Sequence, residues 1–189
     1  MPSQKFVGRD GARPSRMQTS AIVYWLMPAD PERELLCEII SILYKQFDAP
    51  NFDPHLTILV TKQDLQSPKN VLRQIKVSPI RLTVRGISFA DEFTKTLFVR
   101  MEPSEPLEKL VGDLGRAAKS PTEAVRDPHV SLLYKKLVTP VKKELASTIQ
   151  LPFSEVTFDS IRAVRCDLPV RSSADVEAWR VVATKSLRE

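Results

Sequence analysis

Apolar residues are spaced along this chain in two periods, one of three to four residues and one of two. The helical period follows Pro31 and Pro106, and shorter, more polar helical segments follow Pro68 and Pro140. Each of these prolines comes within two positions of an Asp, Ser or Thr, and proline is tolerated in the first turn of a helix. The chain therefore predicts four helices, each beginning near one of these prolines.

The strand period fills the segments between the predicted helices. Strands are expected at residues 20–27, 55–61, 80–89, 96–101, 129–134, 153–166 and 178–186. The order strand, helix, strand, helix, strand occurs twice, and a last strand closes the chain. This repeat predicts an α+β fold with two pseudo-symmetric lobes, each an antiparallel sheet with helices on its outer face, and a groove between the lobes.

Two short segments of this pattern hold both histidines of the chain, and the segments share a sequence. Residues 54–59 read Pro-His-Leu-Thr-Ile-Leu, and residues 128–133 read Pro-His-Val-Ser-Leu-Leu. Two half-exposed strands that carry histidine by chance are the structural alternative. The shared context of all the histidines in the chain favours a paired site.

Side chains of a strand alternate between its two faces. His55 is therefore expected to share a face with Thr57 and Leu59, and His129 to share one with Ser131. Two lobes related by a pseudo-twofold axis would bring the two imidazole-hydroxyl pairs together across the groove.

Two imidazoles and two hydroxyls suit the transfer of a phosphoryl group. One imidazole can act as base and the other as acid, while Thr57 and Ser131 donate hydrogen bonds to phosphoryl oxygens. The sequence does not separate the acid from the base, and the working assignment is His129 as base and His55 as acid. A bell-shaped pH profile around neutrality is expected.

Composition limits the remaining possibilities. A chain of 189 residues with 42% apolar residues suits one domain, and its apolar runs are too short for a membrane span. Residues 1–17 account for +3 of the net charge of +5 and are expected to form a disordered tail before a single domain at 18–189. We expect a cytoplasmic monomer, with organellar targeting by the tail as the alternative.

Metal and disulfide chemistry are not expected. Two cysteines, Cys37 and Cys166, do not make a disulfide framework, and with two histidines they do not suit a structural zinc site. No metal and no cofactor are therefore predicted.

The paired motifs and the duplicated layout resemble the 2H phosphoesterase superfamily, and within it the cyclic nucleotide phosphodiesterases of plants and fungi. The resemblance is carried by residues 21–28, 54–59, 128–134 and 177–179 and extends over nearly all of the chain from Met17. It implies a metal-free hydrolysis of a nucleoside 2′,3′-cyclic phosphate or of ADP-ribose 1″,2″-cyclic phosphate. The implied partner is a small nucleotide.

Aromatic residues are expected to complete the pocket. The resemblance implies that Trp25 and Tyr134 contact the base or ribose, although strict alternation places Tyr134 off the His129 face. Phe89 and Phe98 flank a predicted hairpin, and Phe89 is included as a base-stacking candidate. Packing in the core is the alternative for each ring.

Two other functions remain open. The first is an enzyme of RNA ends, such as a 2′-5′ RNA ligase-like protein or a cyclic-phosphate-end hydrolase, which would need a basic groove. The second is a non-catalytic nucleotide- or RNA-binding module of the same fold, which would be free to lose a histidine or hydroxyl. Dispersed basic residues argue against the first, and the presence of all four polar groups argues against the second.

Overall fold

The computed structural model describes residues 19–61 and 66–188, which form seven strands and five helices. The strands are β1 (Thr19–Pro28), β2 (Leu56–Thr61), β3 (Ile80–Phe89), β4 (Leu97–Met101), β5 (His129–Leu133), β6 (Glu155–Leu168) and β7 (Arg180–Ser186). The helices are α1 (Glu32–Phe47), α2 (Pro68–Gln74), α3 (Glu105–Ala118), α4 (Thr139–Thr148) and α5 (Ser173–Glu177). A single 3₁₀ turn, Phe93–Lys95, precedes β4.

The strands are connected into one antiparallel sheet in the order β2-β1-β6-β3-β4-β5, with β7 also paired to β6. The long strand β6 joins the two lobes, because its first residues pair with β3 and the remainder pairs with β1 and β7. The α+β class and the two-lobed layout are therefore confirmed. The lobes share one hydrogen-bonded sheet through β6, where two sheets were expected.

The main core lies between one face of the sheet and the helices. Each long helix buries one apolar stripe there, such as Leu36, Ile40 and Leu43 of α1. The helices cross between lobes: α1 contacts β5, and α3 contacts β2. The two histidine-bearing strands, β2 and β5, are consequently held against each other.

A smaller cluster covers the opposite face of the first lobe. It consists of Val23, Trp25, Met27, Val164 and Cys166. Alternation along β1 separates the two clusters, since Tyr24 and Leu26 point into the main core while Trp25 points to the other face.

The seven strands and four proline-initiated helices predicted from sequence are confirmed, with boundaries that differ by a few residues. The short helix α5 was missed, although Ser172 and Asp175 form a capping box at its start. The predicted tail at 1–17 lies outside the described residues. Within residues 19–61 and 66–188, no helix is long and apolar enough to cross a bilayer.

Candidate active site

His55 stands at the entrance to β2, where the backbone fixes its ring. Its Nδ1 donates a hydrogen bond to the carbonyl oxygen of Asp53, two residues earlier, at 2.7 Å. A carbonyl partner on Nδ1 requires the proton there, so Nε2 is left as the acceptor of the neutral ring. The adjacent Pro54 is buried, which restricts the backbone at this turn.

His129 has the same arrangement at the start of β5. Its Nδ1 donates to the carbonyl oxygen of Asp127 at 2.8 Å, and Pro128 is part of the same turn. The repeated unit is thus Asp-Pro-His rather than Pro-His, and sequence analysis missed the role of the aspartates. The signal was visible, because Asp53 and Asp127 occupy equivalent positions in the two motifs.

The two aspartate carboxylates are anchored by cations. Arg162 of β6 pairs with Asp53. Asp127 is bound by two cations, Lys95 at 2.5 Å and Arg100 at 3.1 Å. These ion pairs hold the peptide segments whose carbonyl groups orient the two imidazoles.

A β-bulge follows each histidine at the same distance. On β2, Ile58 is the extra residue between the pairs formed by Thr57 and Leu59 with β1. On β5, Leu132 is the extra residue between the pairs formed by Ser131 and Leu133 with β4. Both motifs therefore lose strict alternation three residues after the histidine.

The bulges correct two expectations based on alternation. Leu59 lies in the main core and not on the face of His55 and Thr57. Tyr134, which alternation placed away from His129, is turned toward the groove and reaches the first motif. Its hydroxyl lies 3.4 Å from Nε2 of His55. The two halves of the repeat thus meet at this contact.

Aromatic rings surround His55 on several sides. Trp25 is stacked on the imidazole with 3.8 Å between ring centroids, and Trp179 meets both rings edge-on. Phe52 stacks on Tyr134 at 4.0 Å. Trp179 and Phe52 were not predicted as site residues, because contacts between distant segments leave no local sequence pattern.

Burial changes the role expected for two of these rings. Trp25 is 5% exposed and Tyr134 is 4% exposed, so little of either ring is open to a nucleotide base. Both rings contact His55 and Trp179, and these contacts help to hold the imidazole in place. Among the described residues, the buried Nε1 of Trp179 has no hydrogen-bond partner.

Phe89 lies on the core side of its hairpin. Its cross-strand partner is Leu97, which is fully buried in the main core, and Phe89 packs against that core. Phe98 points to the other face and meets His129 edge-on at 5.2 Å. The structure thus places Phe89 on the core face of β3, and the contact with a histidine ring is made by Phe98 instead.

The hydroxyls of Thr57 and Ser131 differ in burial and in hydrogen bonding. Thr57 is exposed on the groove face, and its cross-strand partner is Trp25. Ser131 is buried, and its Oγ donates to the carbonyl oxygen of Thr94 at 2.8 Å. Thr57 is therefore free to turn toward a ligand, whereas Ser131 must exchange an existing hydrogen bond.

Burial controls the electrostatics of the imidazoles. Burial among aromatic rings lowers the pKa of His55 to about 4, with a small contribution from the positive charge of a protonated His129. Burial also lowers the pKa of His129, by less. Burial raises the pKa of the Tyr134 phenol above its usual value. At neutral pH the free protein therefore holds His55 and Tyr134 uncharged.

Residues 19–61 and 66–188 contain no cluster of three or more His, Cys, Asp or Glu side chains arranged to hold a metal ion. The two motifs supply two imidazoles and two hydroxyls, and Tyr134 adds a phenol beside His55. Such groups transfer protons and donate hydrogen bonds.

A family model described as "Cyclic phosphodiesterase-like protein" matches residues 19–187. The chain belongs to this family. The match spans both Asp-Pro-His motifs and the sheet that joins them, and it places the chain within the 2H phosphoesterase superfamily. No curated protein matches the sequence.

Solved structures share the fold of this cyclic phosphodiesterase-like protein. E. coli LigT in apo form matches with a TM-score of 0.56 at 13% identity, over 92% of this chain and 100% of that one. TT0787 of Thermus thermophilus matches with a TM-score of 0.55 at 20% identity, over 91% of this chain and 98% of that one. E. coli LigT complexed with 3′-AMP matches with a TM-score of 0.52 at 15% identity, over 91% of this chain and 99% of that one. At these identities the matches establish the fold.

Proposed function

We propose that the protein hydrolyses a five-membered cyclic phosphodiester of a nucleotide to a phosphomonoester, without a metal ion. The substrate is a nucleoside 2′,3′-cyclic phosphate or ADP-ribose 1″,2″-cyclic phosphate. The observation that carries the proposal is the pair of Asp-Pro-His turns, each of which fixes Nδ1 of its histidine on a backbone carbonyl. Two imidazoles, each with Nε2 as its proton acceptor, then come from β2 and β5, which contact each other, and the Tyr134 hydroxyl must leave Nε2 of His55 for that ring to act on water.

The reaction requires one proton to be removed and one to be supplied. One imidazole removes a proton from water as its oxygen attacks phosphorus, and the P–O bond to the ribose breaks on the opposite side. The other imidazole protonates the departing oxygen, which becomes a ribose hydroxyl. The strain of the five-membered ring lowers the barrier, so acid-base chemistry with hydrogen-bond donors is sufficient.

The burial of the two histidines favours His55 as the base and His129 as the acid, the reverse of the working assignment from sequence. A base must be unprotonated when substrate arrives, and the pKa of about 4 keeps His55 neutral. His129 is the less buried ring, and its pKa is lowered by a smaller amount, so it is the more readily protonated of the two.

The hydroxyls neutralise charge on the phosphoryl oxygens by donating hydrogen bonds. Thr57, which is exposed beside Trp25, is placed to donate to a phosphoryl oxygen in the groove. Ser131 can do so by releasing the carbonyl of Thr94. The fold is shared with E. coli LigT, which has been crystallised in complex with 3′-AMP, a nucleotide with a ribose phosphate.

Turnover of cyclic phosphates in excess chelator tests the proposal. The purified protein is incubated with 2′,3′-cyclic nucleotides, ADP-ribose 1″,2″-cyclic phosphate and an oligonucleotide with a cyclic-phosphate end, in the presence of excess EDTA. We expect one phosphomonoester isomer from a small cyclic nucleotide, resolved by chromatography. Turnover confined to the oligonucleotide would support an enzyme of RNA ends. Activity lost in EDTA and restored by one divalent ion would exclude the metal-free reaction.

A further inference from the structure

The two Asp-Pro-His motifs differ in the number of cations that bind their aspartates. Asp53 is held by Arg162 from β6, and Asp127 is held by both Lys95 and Arg100. One cation is sufficient to anchor the aspartate in the first motif. The second motif therefore has one more cation within ion-pair distance of its aspartate, and this cation, Arg100, is the cross-strand partner of His129.

Lys95 is the anchor of the second motif. Its ammonium lies 2.5 Å from Oδ2 of Asp127, its side chain is 19% exposed, and it also lies over the ring of Phe98 at 4.7 Å. Arg100 lies farther from Asp127 and is more exposed than Lys95. Its Nε lies 3.1 Å from Oδ1 of Asp127, and its side chain is 48% exposed.

A guanidinium group has five N–H donors, and the Asp127 contact of Arg100 uses only the one on Nε. Among residues 19–61 and 66–188, the two terminal nitrogens of Arg100 have no hydrogen-bond partner. These nitrogens carry four donors in a planar fork, a geometry that matches the oxygens of a phosphoryl group. Arg100 therefore has the capacity to bind an anion while its Nε stays on Asp127.

The position of Arg100 connects it to the catalytic groove. It is the cross-strand partner of His129 on β4, so the two side chains leave the sheet on the same face. Its partner on the other side is Gly86 of β3. Gly86 has a φ of 116°, and a Cβ atom built there would meet no other atom within 4 Å. Arg100 therefore has no side chain beside it at the Gly86 position of the neighbouring strand.

We propose that Arg100 binds a second phosphoryl group of the substrate, separate from the cyclic phosphate held between the two histidines. The inference rests on the proposed function and narrows its substrate class. The preferred substrate is a cyclic nucleotide that also carries a phosphoryl or pyrophosphoryl group on its 5′ side. The subsite consists of the unused donors of Arg100 and its position beside His129 on the same face of the sheet.

Arg85 provides a matched control on the same hairpin. Its Nε lies 3.1 Å from a carboxylate oxygen of Glu102, and its side chain is 55% exposed. This pair is balanced, with one cation for one carboxylate. Arg85→Gln and Arg100→Gln therefore remove the same charge from the same hairpin, but only the second removes the proposed subsite.

Binding of product analogues tests the subsite independently of turnover. Adenosine 3′,5′-bisphosphate and adenosine 3′-monophosphate are titrated calorimetrically at fixed salt into the full chain, and the 2′ isomers are measured in parallel. We expect the 5′-phosphate to tighten binding by about tenfold in wild type and in Arg85→Gln, as for one charge-assisted contact. In Arg100→Gln this preference should be lost.

The ratio of the two affinities decides the outcome. If Arg100 only supports Asp127, Arg100→Gln will weaken both ligands by the same factor and leave the preference intact, which overturns the proposal. Equal affinities in wild type also overturn it. Turnover provides a second measure of this preference. The ratio of kcat/KM for adenosine 2′,3′-cyclic phosphate with a 5′-phosphate to that without one should change in the same way as the ratio of affinities. Absence of turnover on both substrates would refute the proposed function, while the calorimetric ratio would still decide the subsite.

Discussion

Replacing either histidine is expected to lower kcat by about 10²- to 10⁴-fold, the usual contribution of one general acid or base. His129→Ala is the suitable change in the second motif, because His129 is only partly buried. His55 is 5% exposed and stacked on Trp25, so alanine there would leave a cavity. His55→Gln fills most of that space and is the better variant. Initial rates on a 2′,3′-cyclic nucleotide measure the effect.

Unfolding by urea is the control for both histidine variants. A variant that unfolds at the wild-type midpoint and has lost activity has lost a proton-transfer group. Near-normal turnover in either folded variant would show that its imidazole does not transfer a proton. Asp53→Asn provides a further comparison, because it weakens the anchor at Arg162 but keeps the carbonyl that binds His55.

Removal of the Thr57 hydroxyl is expected to reduce kcat/KM roughly 10²-fold, as for the loss of one donor to a developing oxyanion. This factor corresponds to about 3 kcal/mol of lost transition-state stabilisation. Thr57 is exposed on the groove face, so Thr57→Ala should not disturb the core. Thr57→Ser keeps the hydroxyl and should retain most of the activity. Steady-state kinetics of the three proteins on one substrate make the comparison.

Ser131→Ala is expected to have a smaller effect than Thr57→Ala. The Ser131 hydroxyl already donates to the Thr94 carbonyl, so donating to phosphate exchanges one hydrogen bond for another.

A loss of activity in Thr57→Ser as large as that in Thr57→Ala would show that the methyl group and not the hydroxyl matters. In that case the donor role of Thr57 would be wrong.

The repeated Pro-His-x-hydroxyl segment was sufficient to predict the two strands and the pairing of the motifs. It was not sufficient to predict the path of the backbone after each hydroxyl residue. The bulges at Ile58 and Leu132 leave no mark in the composition, since each inserted residue is apolar and is followed by a leucine. A strict period of two therefore placed Leu59 and Tyr134 on the wrong faces.

Two further features of the site were missed by sequence analysis. The aspartates of the Asp-Pro-His units act mainly through their backbone carbonyls, a role that arises from the turn geometry and not from the side chain. Trp179 and Phe52 reach His55 or Tyr134 only after β2, β5 and the α5–β7 junction come together. The face on which Phe89 lies was likewise set by its pairing with Leu97.

The pH dependence of kcat/KM reports the ionisation of the two histidines in the free protein and tests the two-histidine mechanism most directly. The base must be neutral, so activity should fall as the pH drops toward the pKa of His55, near 4. The acid must be protonated, so activity should also fall as the pH rises through the pKa of His129, which burial places below 6.5. We therefore expect a bell with its maximum on the acid side of neutrality, where sequence analysis placed it around neutrality. A profile without dependence on any group between about pH 4 and pH 8 would contradict the mechanism.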